Sequence, residues 1–147
     1  MKTIWEEERR RELKDRLGRL QLDSPAKWGK MNAPQMVAHL CNSMKMAAGE
    51  LEVRPKNLPI RYSPLKELII YALPFPKGAP TAPELIVTEP GDWAEGLAEL
   101  RARIDAVASR GRDAAWPEHP AFGKLSYNMW GVLGYRHIDH HFKQFGV

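Results

Sequence analysis

The chain has 147 residues, 44% of them hydrophobic, with 22 Lys and Arg against 18 Asp and Glu, one cysteine and a net charge of +4. That length suits one domain around one core, and the lone Cys41 excludes an intramolecular disulfide and a multi-cysteine zinc cage, so a reducing, cytoplasmic setting is expected. The longest apolar run, residues 68–73, falls far short of the ~20 residues that span a bilayer, the first residues carry no signal-peptide core, and basic and acidic residues are interspersed; no membrane and no nucleic acid is an expected partner.

Residues 3–20 are rich in helix formers, with Trp5, Leu13, Leu17 and Leu20 at helical spacing and Glu-to-Arg pairs over the rest, which predicts a first helix. Its charged side reads as a solvated face, with an apolar stripe that a partner subunit could cover. Turn chemistry follows from Asp23 to Met31. Asn32, with Gln35 three residues on, then caps a second helix over 33–48, which Gly49 stops. Methionines 31, 36, 44 and 46 read as core filler.

The stretch from Glu50 to Pro90 holds eight of the twelve prolines. It reads as a long connection interrupted by one short helix, Ser63 to Leu73, with Leu85-Ile-Val-Thr as an extended piece. Asp92 and Glu95 cap a further helix over about 93–110 that carries Trp93, Leu97, Leu100, Ile104 and Val107. After a loop, Ser126 opens the last helix, which reaches almost to the C-terminus with Trp130, Leu133, His137, His141 and Gln144 on one stripe. The expected fold is an all-α bundle of four main helices, in which the first opposes the second and the last two oppose each other. A crossover running the length of the bundle makes the second and third main helices parallel, and the last helix antiparallel to the second.

Three of the five histidines, His137, His140 and His141, fall in the last eleven residues. On a helix, His137 and His141 stand about 40° and 6 Å apart, an arrangement that lets two imidazoles grip one metal ion. His140 lies about 60° to the other side of His137, within reach of that face but nearer its flank. The stripe through Trp130, Leu133 and Gln144 turns His137 inward, so His137 and His141 are the first choice of ligands and His140 a neighbour outside the ligand set. A third protein ligand is the norm for a catalytic metal, and His39 is the one histidine inside another main helix. It sits ~9 Å from the start of its helix, while His141 and His137 sit ~6 and ~12 Å from the end of theirs, depths that coincide only in an antiparallel pair.

Three neutral imidazoles leave a fourth zinc position open to water and give an electropositive site that favours an anionic donor such as a thiolate. Gln144 and Asn42 are placed to hold imidazole protons or the water. Asp139 points about 160° from His137, toward solvent, and is not taken as a general base. Cys41 reads as a buried thiol and His119, before Pro120, as a packing or hydrogen-bonding residue. Trp28, Trp93 and Trp130 could line the mouth of a pocket, or be ordinary core aromatics. A binding module without catalysis and a purely structural bundle are the alternative readings.

The Met36-x-x-His39 helix, the His-Pro-x-Phe-Gly-x-Leu run from His119 to Leu125, Trp130-Gly131, and Arg136-His-x-x-His-His-x-x-Gln-Phe-Gly to Gly146 resemble a small branch of the DinB-like superfamily, also called YfiT-like metalloenzymes. The resemblance spans nearly the whole chain. It implies a four-helix bundle of up-down-down-up topology, and zinc or nickel bound by one histidine of the second bundle helix and two histidines four apart on the last, matching His39, His137 and His141. It also implies a thiol-dependent transferase or isomerase working with a low-molecular-weight thiol such as bacillithiol, mycothiol or glutathione, and a homodimer as a common assembly. A hydrolase is the related expectation from the open metal position. The pattern assigns no catalytic acid or base.

Overall fold

The computed structural model describes residues 1–147 and is all-helical: α1 (Glu7–Leu17), α2 (Ala33–Ala47), α3 (Leu65–Tyr71), α4 (Trp93–Ser109) and α5 (Tyr127–Gln144). The caps expected from sequence form. Asn32 and Gln35 satisfy each other's backbone N–H at 2.9 and 3.0 Å, Asp92 accepts from Glu95 N at 2.9 Å, and Ser126 accepts from Met129 N at 3.2 Å. No helix is long and apolar enough to cross a membrane.

The first helix begins later than its propensity suggests. Glu6 turns back to accept from the backbone and hydroxyl of Thr3, so residues 3–6 make a turn that drives Ile4 into the core. There Ile4 N donates to Gly131 O at 3.1 Å and Trp5 Nε1 to Tyr127 O at 3.1 Å. The apolar stripe of α1 is spent in this chain's own core, with Leu13 and Leu17 fully buried, and does not remain free for a second subunit.

Paired side chains give the direction of each packed helix pair. Arg16 meets Asp139, and Tyr135 donates to Glu12, so α1 and α5 run in parallel. Cys41 lies against Gly96, Lys45 pairs with Glu99 and Arg103 with Glu50, so α2 and α4 are parallel too. Lys14 pairs with Asp105 while Arg101 packs on Gly18, which sets α1 antiparallel to α4. Helix α2 packs most extensively on α4 and reaches α5, whereas α1 packs on α4 and α5. Helix α1 is therefore opposed in direction to α2 but packs on α4 and α5: the connection after α1 passes beneath the end of α5, where Lys27 N donates to Gln144 O at 2.7 Å.

The connection between α2 and α4 carries α3 and two single 3-10 turns, Pro59–Arg61 and Pro83–Leu85. The second, preset by Pro83 at its start, ends at Leu85, the first residue of the stretch expected to be extended; Ile86 beyond it has extended backbone, with no strand pairing there. The crossover is tied down by Lys56 N and Arg61, both donating to Pro120 O, and by the Arg136 guanidinium, which donates to the carbonyls of Ile69, Ile70 and Leu73.

The Trp5 indole lies directly on the helix backbone at Gly131, where an added Cβ would collide with its ring. Gly131→Ala must expel the Trp5 ring and break its bond to Tyr127, and it is expected to cost about 2–3 kcal/mol as an overpacked core substitution. A urea midpoint unchanged from wild type would contradict that account.

Candidate metal centre

Helix geometry places His137 and His141 on successive turns of α5, and the antiparallel α2 brings His39 against them. The Nε2 atom of His137 lies 3.1 Å from Nε2 of His39 and 3.2 Å from Nε2 of His141, and the ligand atoms of all three lie within 4.8 Å of one another. Two imidazole nitrogens on one tetrahedral zinc stand about 3.3 Å apart, so the two spacings at His137 match one ion, around which the widest pair would draw in. His39 and His141 are buried and His137 is partly exposed. These are the three histidines chosen from sequence.

The far side of each of two rings is held. His39 Nδ1 donates to the carbonyl of Leu85 at 3.0 Å, and His141 Nδ1 donates to Gln144 Oε1 at 2.7 Å. Gln144 is itself oriented, because its Nε2 donates to Trp28 O at 2.8 Å. With the ring hydrogen on Nδ1 in both histidines, the Nε2 lone pairs face inward, as metal ligation needs. Gln144 thus meets the His141 ring. Asn42 does not meet that of His39: the partner there is a backbone carbonyl of the crossover, delivered by the turn at Pro83–Leu85, and Asn42 makes no hydrogen bond to any of the rings.

Burial dominates the electrostatics. It lowers the pKa of His39, pushes His141 down to about 3 with help from the nearby His39, and holds His137 well below the ordinary value, aided by the neighbouring imidazoles. All three rings are neutral at pH 7. The site contains no carboxylate. Asp139 is not free in solvent, as its helix angle suggested: Arg16 of α1 reaches it at 2.7 Å and Lys143 at 2.7 Å.

His140 stands on the flank. Its ring centroid is 5.3 Å from that of His141, 5.6 Å from Trp28 and 6.0 Å from Phe75, and Lys77 Nζ lies 4.5 Å over the Trp28 ring. Trp28 therefore packs beside His140, on the flank of the cluster. Trp93 lines a separate cleft between α2 and α4 with Pro34, Val37 and Cys41, on the side of α2 away from His39. Trp130 lies two turns before His137, packed on His119 and Trp116. Cys41 is buried, with its thiol pushed up to about 12 chiefly by desolvation, and is neither nucleophile nor ligand.

Sequence reasoning missed two parts of the site. The Leu85 carbonyl carries no side-chain signal. Gly29 falls within a predicted turn, and the structure gives it a specific role, because its φ is +81° and a Cβ there would stand 2.6 Å from Gln144 Nε2. Only glycine lets the loop backbone approach the amide that orients His141. Compared with known proteins, the chain matches no family model, no curated protein and no solved structure.

Two measurements follow. Gly29→Ala and Gln144→Leu are each expected to weaken zinc binding by about 10- to 100-fold in chelator competition, since each frees the His141 ring; an unchanged affinity would show that the amide is incidental. In metal-free protein the three histidines titrate below the unfolded value of about 6.5, so the unfolded chain takes up protons first as pH falls. Their contribution to stability is complete above pH 6.5 and is lost as pH drops toward about 3, the value for His141, with a slope of up to about 1.4 kcal/mol per pH unit for each proton. Urea unfolding of metal-free protein at pH 7.5, 6 and 5 should give steadily lower stability, and a flat profile would contradict the buried neutral rings.

Proposed function

We propose that the chain is a DinB-like metalloenzyme of the thiol-dependent transferase or hydrolase type, an up-down-down-up four-helix bundle that holds a divalent ion at His39, His137 and His141. Zinc is the first expectation and nickel the second, because imidazole suits both and zinc is generally more available. The observation that carries the reading is the convergence of three Nε2 atoms with 3.1 and 3.2 Å spacings. The parallel and antiparallel helix pairs described above support the bundle topology.

A divalent ion bound there supplies Lewis acidity and an open position for an anionic donor such as a thiolate. The chain's own residues do the rest. Leu85 O and Gln144 keep the ring hydrogens of His39 and His141 on the outer nitrogens, Trp28 and His140 border the approach, and the buried helix interior excludes water. Lys77 stands near His140 as a cation, while Lys143 beside it is paired with Asp139. The partner expected is a small molecule, with a low-molecular-weight thiol as one substrate.

A second reading has its own support. With Asp139 engaged by Arg16 and Lys143, no carboxylate stands free to move a proton, which suits a non-catalytic binder of small ligands equally well. The deciding experiment is elemental analysis of protein purified without a histidine tag, beside His39→Ala and His137→Ala. We expect close to one equivalent of zinc or nickel in wild type and a loss of at least tenfold in affinity in either variant. Wild type left empty after supplementation with both metals would end the enzyme reading. Fully metallated protein that turns over no thiol, ester or amide substrate would favour the binder.

A further inference from the structure

One more imidazole stands on the histidine face of α5. His119 packs against Trp130, with ring centroids 5.6 Å apart, and Trp130 shares the stripe of His137 two turns earlier. The charge of His119 is among those that bear on His137.

The turn from 119 to 123 fixes this ring. His119 and Gly123 exchange both backbone hydrogen bonds at 2.8 Å, and Pro120 O accepts from Lys56 N and from Arg61. His119 Nδ1 accepts from the backbone N–H of Ala121 at 3.1 Å and of Phe122 at 3.2 Å. A lone pair used in this way leaves the ring hydrogen on Nε2, where it meets no acceptor in the protein. Burial, and secondarily the Arg61 cation, push the pKa of His119 down to about 4, so the ring is a neutral donor and not a base at physiological pH. Beside it is a second unused donor. Trp130 is 4% exposed, and its indole N–H is buried with no partner. An unpaired buried donor is costly unless a ligand takes its hydrogen, and the Trp130 N–H, beside the unpaired Nε2 of the half-buried His119, points to a binding surface.

We propose that His119 and Trp130 form a hydrogen-bond donor face for an oxygen-bearing ligand, a carboxylate or carbonyl compound, held at the three-histidine centre. This deepens the metal reading above and rests on it. The substrate is then selected twice, by the atom that meets the histidine-held ion and by an oxygen that accepts from Nε2 of His119.

The test uses the full chain loaded with cobalt(II), titrated with acetate and with thiocyanate while the visible cobalt bands are read. Both anions can coordinate through one atom, but acetate alone keeps a strong oxygen acceptor for the donors. His119→Asn retains an amide oxygen to accept from Ala121 and Phe122 and loses the Nε2 donor; Trp130→Phe loses the indole N–H. The expected result is unchanged cobalt affinity, acetate affinity about tenfold weaker in His119→Asn and less affected in Trp130→Phe, and thiocyanate affinity altered less than about twofold. Equal losses for both anions, or unchanged acetate affinity in both variants, overturn the donor face and leave the metal site standing. A wild type that takes up no cobalt ends both readings together. Should the variants unfold, the nitrogen-15 spectrum of the metal-loaded wild type decides: His119 should carry its hydrogen on Nε2 and shift when acetate saturates, and no shift overturns the proposal.

Discussion

Three ring nitrogens meeting inside an apolar helical body are an electrostatic problem that the rest of the structure is arranged around. His39 and His141 commit their hydrogens outward, to Leu85 O and Gln144 Oε1, and therefore aim lone pairs at the same small volume as Nε2 of His137. That third nitrogen can bring at most one hydrogen, which cannot be well directed at two acceptors 3.1 and 3.2 Å away. Protonating a second ring would satisfy the lone pairs, but burial opposes a charged imidazole. A divalent cation meets all three lone pairs without displacing any proton at neutral pH.

Holding the nitrogens there demands register on three sides. The end of α5 is fastened to the loop before α2 through Lys27, Trp28 and Gln144, and its outer face is fastened to α1 through Arg16, which reaches both Asp139 and the carbonyl of Val147. The crossover supplies the third side, since Leu85 comes to His39 only if the proline-rich chain is pinned by Arg61 and Arg136 along its way. Exposed ion pairs such as Lys45 with Glu99 contribute little to stability, but they record which helices run in parallel. The partly buried Arg16–Asp139 pair is different in kind, because leaving either group alone against the core would be costly.

Much of this is legible in the residues. The caps at Asn32, Asp92 and Ser126 place three long helices to within a residue or two, and the four-residue spacing of His137 and His141, matched in depth with His39, selects the three histidines that converge. The short step along the helix from His141 to Gln144 also puts that amide near the ring it orients. Sequence periodicity fails where the determinant is not a side chain on a helix. The Leu85 carbonyl, which takes the place assigned to Asn42, is backbone from a remote loop, and the need for glycine at position 29 is visible only once Gln144 lies against it. The start of α1 escapes for a related reason: propensity favours helix from Thr3, but burying Ile4 beneath α5 is worth more than another helical turn.

The charge state of the site bears on which chemistry it favours. Ester or amide hydrolysis asks the protein for a group that takes a proton from water and gives one to the leaving group. No free carboxylate is present to do so, Asp139 is held by two cations, and His119 has its Nδ1 lone pair occupied by backbone N–H groups. A divalent ion would lower the pKa of bound water and of a bound thiol alike, so the two chemistries would differ at the leaving group, which hydrolysis must protonate. On the reading proposed above, the base-poor surroundings of the three histidines would therefore suit transfer to or from a thiol better than hydrolysis.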